Sequence, residues 1–148
     1  MVAAVKWEGA STVTSIMTTA LNSLADNTMS AASTEVDNST GLDTVAWFEL
    51  NLASLLPAVS NPRLDLYVTQ APDGTNYETA PLTGGANQRH MFVGAFPAHI
   101  VTATKRVVIG PFLLPPHKLK FYLDNQANVA LGASGNTLDI IVNNYESQ

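Results

Sequence analysis

Thr44-Val45-Ala46-Trp47-Phe48-Glu49-Leu50-Asn51-Leu52-Ala53 is the stretch on which the fold turns. Ala46, Phe48, Leu50 and Leu52 recur at every second position with Val45, Trp47, Glu49 and Asn51 between them, so an extended chain has one apolar face and one mixed face. A helix would scatter the same residues around its axis. The stretch therefore predicts a half-buried strand.

The same period of two recurs further along. Leu64, Leu66 and Val68 alternate with Asp65, Tyr67 and Thr69, then run into Ala71-Pro72-Asp73-Gly74, a turn in which Pro presets φ and Gly tolerates a positive one. Residues 91–96 and 106–109 are short apolar runs that suit buried strands, the second expected to stop at Gly110-Pro111. Residues 118–123 place Leu119, Phe121 and Leu123 on one face and Lys118, Lys120 and Tyr122 on the other, starting after Pro115-Pro116. A weak strand at 129–131 is expected between turns at Asp124-Asn125 and 132–136. Leu138, Ile140 and Val142 then mark a closing strand over 137–143.

The N-terminal part is less regular. Residues 1–15 read as an extended arm, residues 15–27 fit either a short amphipathic helix or a strand or loop, and residues 28–42 suggest one polar strand followed by a loop. About eight short strands separated by Gly, Pro, Asn and Asp clusters, with no alternation of strands and long helices, predict an all-β fold. The expected architecture is an antiparallel β-sandwich, jelly-roll-like, formed as a single domain over 1–148 with an extended N-terminal arm at 1–15.

Composition narrows the function classes. Only 13% of residues are charged, about half the usual globular fraction, and a surface so sparsely charged repels neighbouring subunits weakly. Cysteine is absent, which removes disulfides, thiolate metal sites and cysteine nucleophiles. Residues 1–88 set Lys6 and Arg63 against nine carboxylates, whereas residues 89–148 set five basic groups against three acidic ones. Basic residues scattered along an acidic chain do not make the footprint that neutralises a run of phosphates, so no sequence-specific nucleic-acid binding is expected. Lys6, Trp7 and Glu8 interrupt the start where an export signal needs an apolar run. The longest apolar run, 107–116, is broken by Gly110, Pro111 and Pro115 and is shorter than the roughly 20 residues of a membrane helix. No membrane partner is expected.

The residues that carry chemistry are dispersed. His90, His99 and His117 stand apart, outside any paired-ligand spacing. Glu35-Val36-Asp37 with Asp43 is the nearest approach to a carboxylate cluster, and it lacks the periodicity of a calcium loop; turn capping is the reading it supports. Gly132-Ala133-Ser134-Gly135 lacks the spacing of a nucleophile elbow and reads as a turn. Asn38-Ser39-Thr40 matches a glycosylation acceptor and also reads as a turn. The expectation is a non-enzyme with no catalytic, cofactor or metal-binding residues. What remains conspicuous is apolar bulk outside the evident core, at Trp7, Val45, Trp47, Phe112 and Leu114, which either the chain itself or a neighbouring subunit must cover.

Several phrases have a familiar cast: Trp47-Phe48-Glu49-Leu50, Leu64-Asp65-Leu66-Tyr67 with Asp73-Gly74-Thr75-Asn76-Tyr77, Phe92-Val93-Gly94-Ala95-Phe96-Pro97, the run from Leu113 to Phe121, and Ala133-Ser134-Gly135-Asn136-Thr137-Leu138. Together, from residue 43 onward, they resemble small β-sandwich virion structural proteins of tailed bacteriophages. That resemblance implies a capsid cement or decoration subunit, made in the host cytoplasm and placed on the capsid surface, with the major capsid protein and copies of itself (a dimer or trimer) as partners. A tail or baseplate component and a carbohydrate-binding sandwich module are the alternatives. The resemblance carries over no functional residues.

Overall fold

Strand β5 (Val45–Leu52) has the expected alternation, with Ala46, Phe48, Leu50 and Leu52 buried and Trp47, Glu49 and Asn51 half-buried on the opposite face. Antiparallel neighbours flank it on both sides, β10 (Thr137–Asn143) and β8 (Lys105–Leu113). Strand β2 (Thr12–Met17) adds beyond β10, giving the order β2-β10-β5-β8. In the second sheet β9 (Lys118–Gln126) pairs with β6 (Arg63–Ala71), and β6 pairs with β7 (Phe92–Pro97). The other side of β9 carries two short pairings, β3 (Thr28–Met29) and β4 (Val36–Asp37). A separate ribbon joins β1 (Val5–Trp7) to β11 (Tyr145–Ser147). The computed structural model describes residues 5–7, 12–54, 61–82, 89–98 and 104–147, with backbone alone at 5–7 and 145–147.

The inner faces of the two sheets meet through aromatic rings. Phe48 packs on Phe121 of the opposite sheet at 4.8 Å between centroids and lies 6.1 Å from Phe112. Around them Leu50, Leu64, Leu66, Leu119, Leu123 and Leu138 are fully enclosed, each such side chain contributing about 1.5–3 kcal/mol relative to exposure. The chain changes sheet between β5 and β6, between β7 and β8, between β8 and β9, and between β9 and β10; β6 and β7 form a hairpin within one sheet. Two four-position antiparallel sheets threaded in this way are a jelly roll.

The segment from β3 to β4 follows β9 as a broken strand mended by serines. Ser30 and Ser33 donate their backbone N–H groups to the carbonyls of Leu123 and Phe121, and their hydroxyls accept the N–H groups of those same residues. A side-chain oxygen thus stands where a ladder carbonyl would, and both serines are buried. One helical turn, α1 (Asn38–Gly41), follows. Its N-cap is Asp37, whose carboxylate accepts from the Ser39 N–H and hydroxyl, the capping role expected of this acidic stretch.

Residues 15–27 take the strand-or-loop alternative, opening as the end of β2 and a 3-10 turn at Thr19–Leu21, with the β-branched Thr12, Val13 and Thr14 paired to β10. Four expectations need correction. The last part of the predicted arm, 12–15, therefore belongs to the sandwich, while residues 1–4 and 8–11 lie outside the described residues. Strand β8 does not stop at Gly110-Pro111. It continues to Leu113 through a bulge opposite Trp47, tolerated because Gly110 adopts φ +137° and β8 is an edge strand with no ladder to lose at the proline. Asp124-Asn125 extends β9 instead of turning, and 127–136 is a loop without the strand expected at 129–131. Asn125 ties that loop down by donating to the carbonyls of Leu24, Ala25 and Val129.

Candidate interaction surface

The outer face of the β2-β10-β5-β8 sheet is built by pairing. Ile141 lies opposite both Val13 and Trp47, so these three share a row across the sheet that ends at the exposed Gly110-Pro111 bulge. Val13 is 61% exposed, and Val108 and Leu113 on the same face are 47% and 73% exposed. A Cβ on Gly110 would come within 2.9 Å of the Trp47 ring and 3.0 Å of the Ala46 carbonyl. The missing side chain is what lets the edge strand close against the tryptophan.

A polar cluster bounds this apolar row at one end. Asn51 donates to Glu49, Thr137 and Asp139 at 3.2–3.3 Å, and Arg106 pairs with Glu49 across the β5–β8 ladder. The Arg106 guanidinium holds the Glu49 carboxyl below its ordinary range, against the opposing effect of burial. The face is thus an apolar stripe ending in a fixed array of donors and acceptors.

Of the residues singled out from sequence, Trp47 lies in the middle of this face. Val45 shares the face by register but is only 2% exposed within the chain. Phe112 and Leu114 turn inward: Phe112 packs on the core beside Phe48, and Leu114 is 8% exposed in the core cluster. The β8 bulge explains this, because an unbroken alternation from Val107 and Ile109 would have left Phe112 and Leu114 outside, and one extra residue reverses the parity. The side chain of Trp7 lies outside the described residues, and its backbone pairs with Tyr145. The exposed Val13 and Val108 were missed, whereas Leu113 stands with Phe112 and Leu114 in the apolar run between prolines that the sequence does single out. A signal for the bulge did exist in the Gly110-Pro111 pair inside an apolar run, a composition that marks bulges and edge strands.

The second sheet treats its outer face differently. Gln70 and Glu78 bond one another, backbone N–H to carbonyl and N–H to carboxylate, which lays the segment after the Ala71–Gly74 turn along β6. Tyr77 donates to Glu35 at 2.6 Å and carries the Lys120 ammonium 4.2 Å over its ring, while Lys118 also pairs with Glu35 at 3.0 Å. On the same face Thr69 and Tyr67 are both buried. The Tyr77 hydrogen bond, and next to it that of Lys118, lowers the Glu35 carboxyl. His90 approaches Glu78 at 3.6 Å, and among the described residues no group of three or more His, Asp or Glu is placed to hold a metal ion.

A cleft of about 280 Å³ opens between β2 and residues 34–38. Its floor is Ile16, Ile140, Val142 and Leu114, and Glu35, Asp37 and Asp43 stand at its rim. No protein-family model matches the chain, and no curated protein matches it.

Proposed function

We propose that the chain is a structural subunit of a tailed-bacteriophage particle, a cement or decoration protein that binds the assembled shell of major capsid protein through the open face of the β2-β10-β5-β8 sheet. The observation that carries this reading is the asymmetry of the sandwich: one outer face is covered by the chain's own 72–82 segment, while the other leaves Val13, Val108 and Leu113 bare around Trp47. Contiguous exposed apolar surface centred on an aromatic residue and rimmed by polar groups is the composition of a protein-binding patch. The resemblance of the sequence phrases to virion proteins supports the choice of partner. The mechanism is mass action, in which a subunit that binds the assembled shell but not its dissociated parts stabilises the assembly by its binding free energy.

The test is reconstitution. Bare shells incubated with the chain should resist heating that opens untreated shells, and Leu113→Glu with Val13→Glu should abolish both attachment and protection while leaving the melting temperature of the free chain unchanged. Hundreds of copies per particle agree with a shell position. A few tens confined to tails would replace this reading with the baseplate alternative, and selective glycan binding through Trp47, Asn51 and Asp139 would replace it with the carbohydrate-binding one.

A further inference from the structure

The two edges of the β2-β10-β5-β8 sheet are protected to very different degrees. The β8 edge carries Lys105, Arg106 and the Gly110-Pro111 bulge, the devices that keep foreign strands away. Along Thr12–Ser15 the β2 edge carries neither: these residues are uncharged, exposed and in unbroken register with β10, the register shifts only past Ser15, and among the described residues the chain closes over the edge at Ile16, where Thr34 donates to the Ile16 carbonyl. Among the described residues β2 is paired through β10 alone. Directly below this edge lies the cleft, apolar at the bottom and acidic at the rim. Lys118 is the base beside Glu35 and Asp37, at 3.0 and 4.0 Å, and Asp43 is a third carboxylate of the lining, so acidic groups outnumber the one ammonium at the rim.

We propose that the β2 edge and its cleft form a peptide-binding site for an extended, basic segment of a partner protein, which adds as a further strand beside β2. Backbone hydrogen bonds to residues 12–15 give affinity. An aliphatic side chain entering the cleft against Ile140 and Val142, with a neighbouring Lys or Arg at the rim near Asp37 and Asp43, gives selectivity. The occupant's charge follows from the excess of carboxylates at the rim, and its extended form from the unguarded edge. This site is distinct from the open sheet face, and its test in solution requires no particle.

The probe is acetyl-Val-Lys-Val-Lys-Val-amide bearing a fluorophore, titrated with the full chain and read by anisotropy. Saturable binding is expected, with the Glu-for-Lys counterpart weaker by about tenfold or more. Two N-methylated versions, blocked at alternate residues in opposite phase, separate strand addition from loose adsorption, because a strand paired along one edge uses only every second N–H. One version should lose binding and the other keep it. Thr14→Trp, which fills the mouth from an exposed position, should abolish binding in a chain that still melts cooperatively, and amide exchange at 12–15 should slow when the peptide is present. Equal binding of the Glu peptide, equal behaviour of the two methylated versions, no effect of Thr14→Trp, or no binding at millimolar peptide would each overturn the proposal. Loss of shell attachment by the Leu113→Glu variant with peptide binding intact would leave it standing, so the two readings fail separately.

Discussion

The two sheets of this sandwich share one core but treat their outer faces in opposite ways. On the β6–β9 side the chain folds its own 72–82 segment back and hooks Tyr77 onto Glu35 and Lys120, and on that face Thr69 is buried and Tyr67 packs edge-on against Phe92. On the β5–β10 side nothing comparable lies over Val13, Val108 and Leu113 among the described residues. Both faces have apolar content, so hydrophobicity alone does not decide which one is covered. The difference lies in the connections, since the β6–β7 connection is long enough to fold back, whereas β5 and β8 of the open face leave at both ends toward the opposite sheet and β2 and β10 leave at one end into the β1–β11 ribbon.

The contrast can be broken most severely at the shared core. Phe48→Ala removes the ring that touches both sheets, and a loss of about 3–5 kcal/mol in chemical denaturation is expected; a loss below about 1 kcal/mol would mean that the sheets are not held together there. Gly110→Ala comes next. Its φ of +137° and the nearby Trp47 ring leave no room for a Cβ, so a cost of about 1–3 kcal/mol and a changed Trp47 fluorescence are expected. The open face should then prove energetically silent: Val108→Thr and Leu113→Gln alter exposed side chains and should move stability by no more than about 0.5 kcal/mol.

Acid sharpens the same comparison. Asp73 accepts from the Thr75 and Asn76 N–H groups and the Asn76 amide, which holds its carboxyl down at about 2 against an ordinary 3.8. A carboxyl lowered in the folded state stabilises the turn fully above its ordinary value and loses that effect as pH falls through the folded one. Glu35, lowered by Tyr77 and Lys118, behaves likewise below its ordinary 4.5. Between about pH 4 and 2 the cover over β6 should loosen, seen as faster amide exchange at 70–78, before the β5–β10 ladder changes. Simultaneous loosening of both sheets would show that the cover is not a separate unit.

Much of the fold was legible in period-two patterning, because the core faces of β5, β6, β9 and β10 are each built from apolar residues of one parity, even though β6 is buried on its other face as well. Legibility ended where a side chain replaced a rule. Asn125 looks like a turn residue and is instead a buried anchor for three carbonyls, and Ser30 and Ser33 look like loop residues and mend a strand. The outward side was legible at Trp47 and misread at Phe112 and Leu114, because parity is a local property and the Gly110 bulge resets it. Alternation also says which side a residue takes but not whether another segment lies over it, and so Val45, outward by parity, is enclosed.

The order of threading has a kinetic corollary. Strand β10, which sits between β2 and β5, follows both of them along the chain. During synthesis neither can complete its hydrogen bonding until residues 137–143 leave the ribosome, and non-local pairing of this kind is slow to nucleate. A chain cut short before residue 137 has no finished sheet and hence no finished outer face, so an aborted translation product cannot present the surface that the intact chain does.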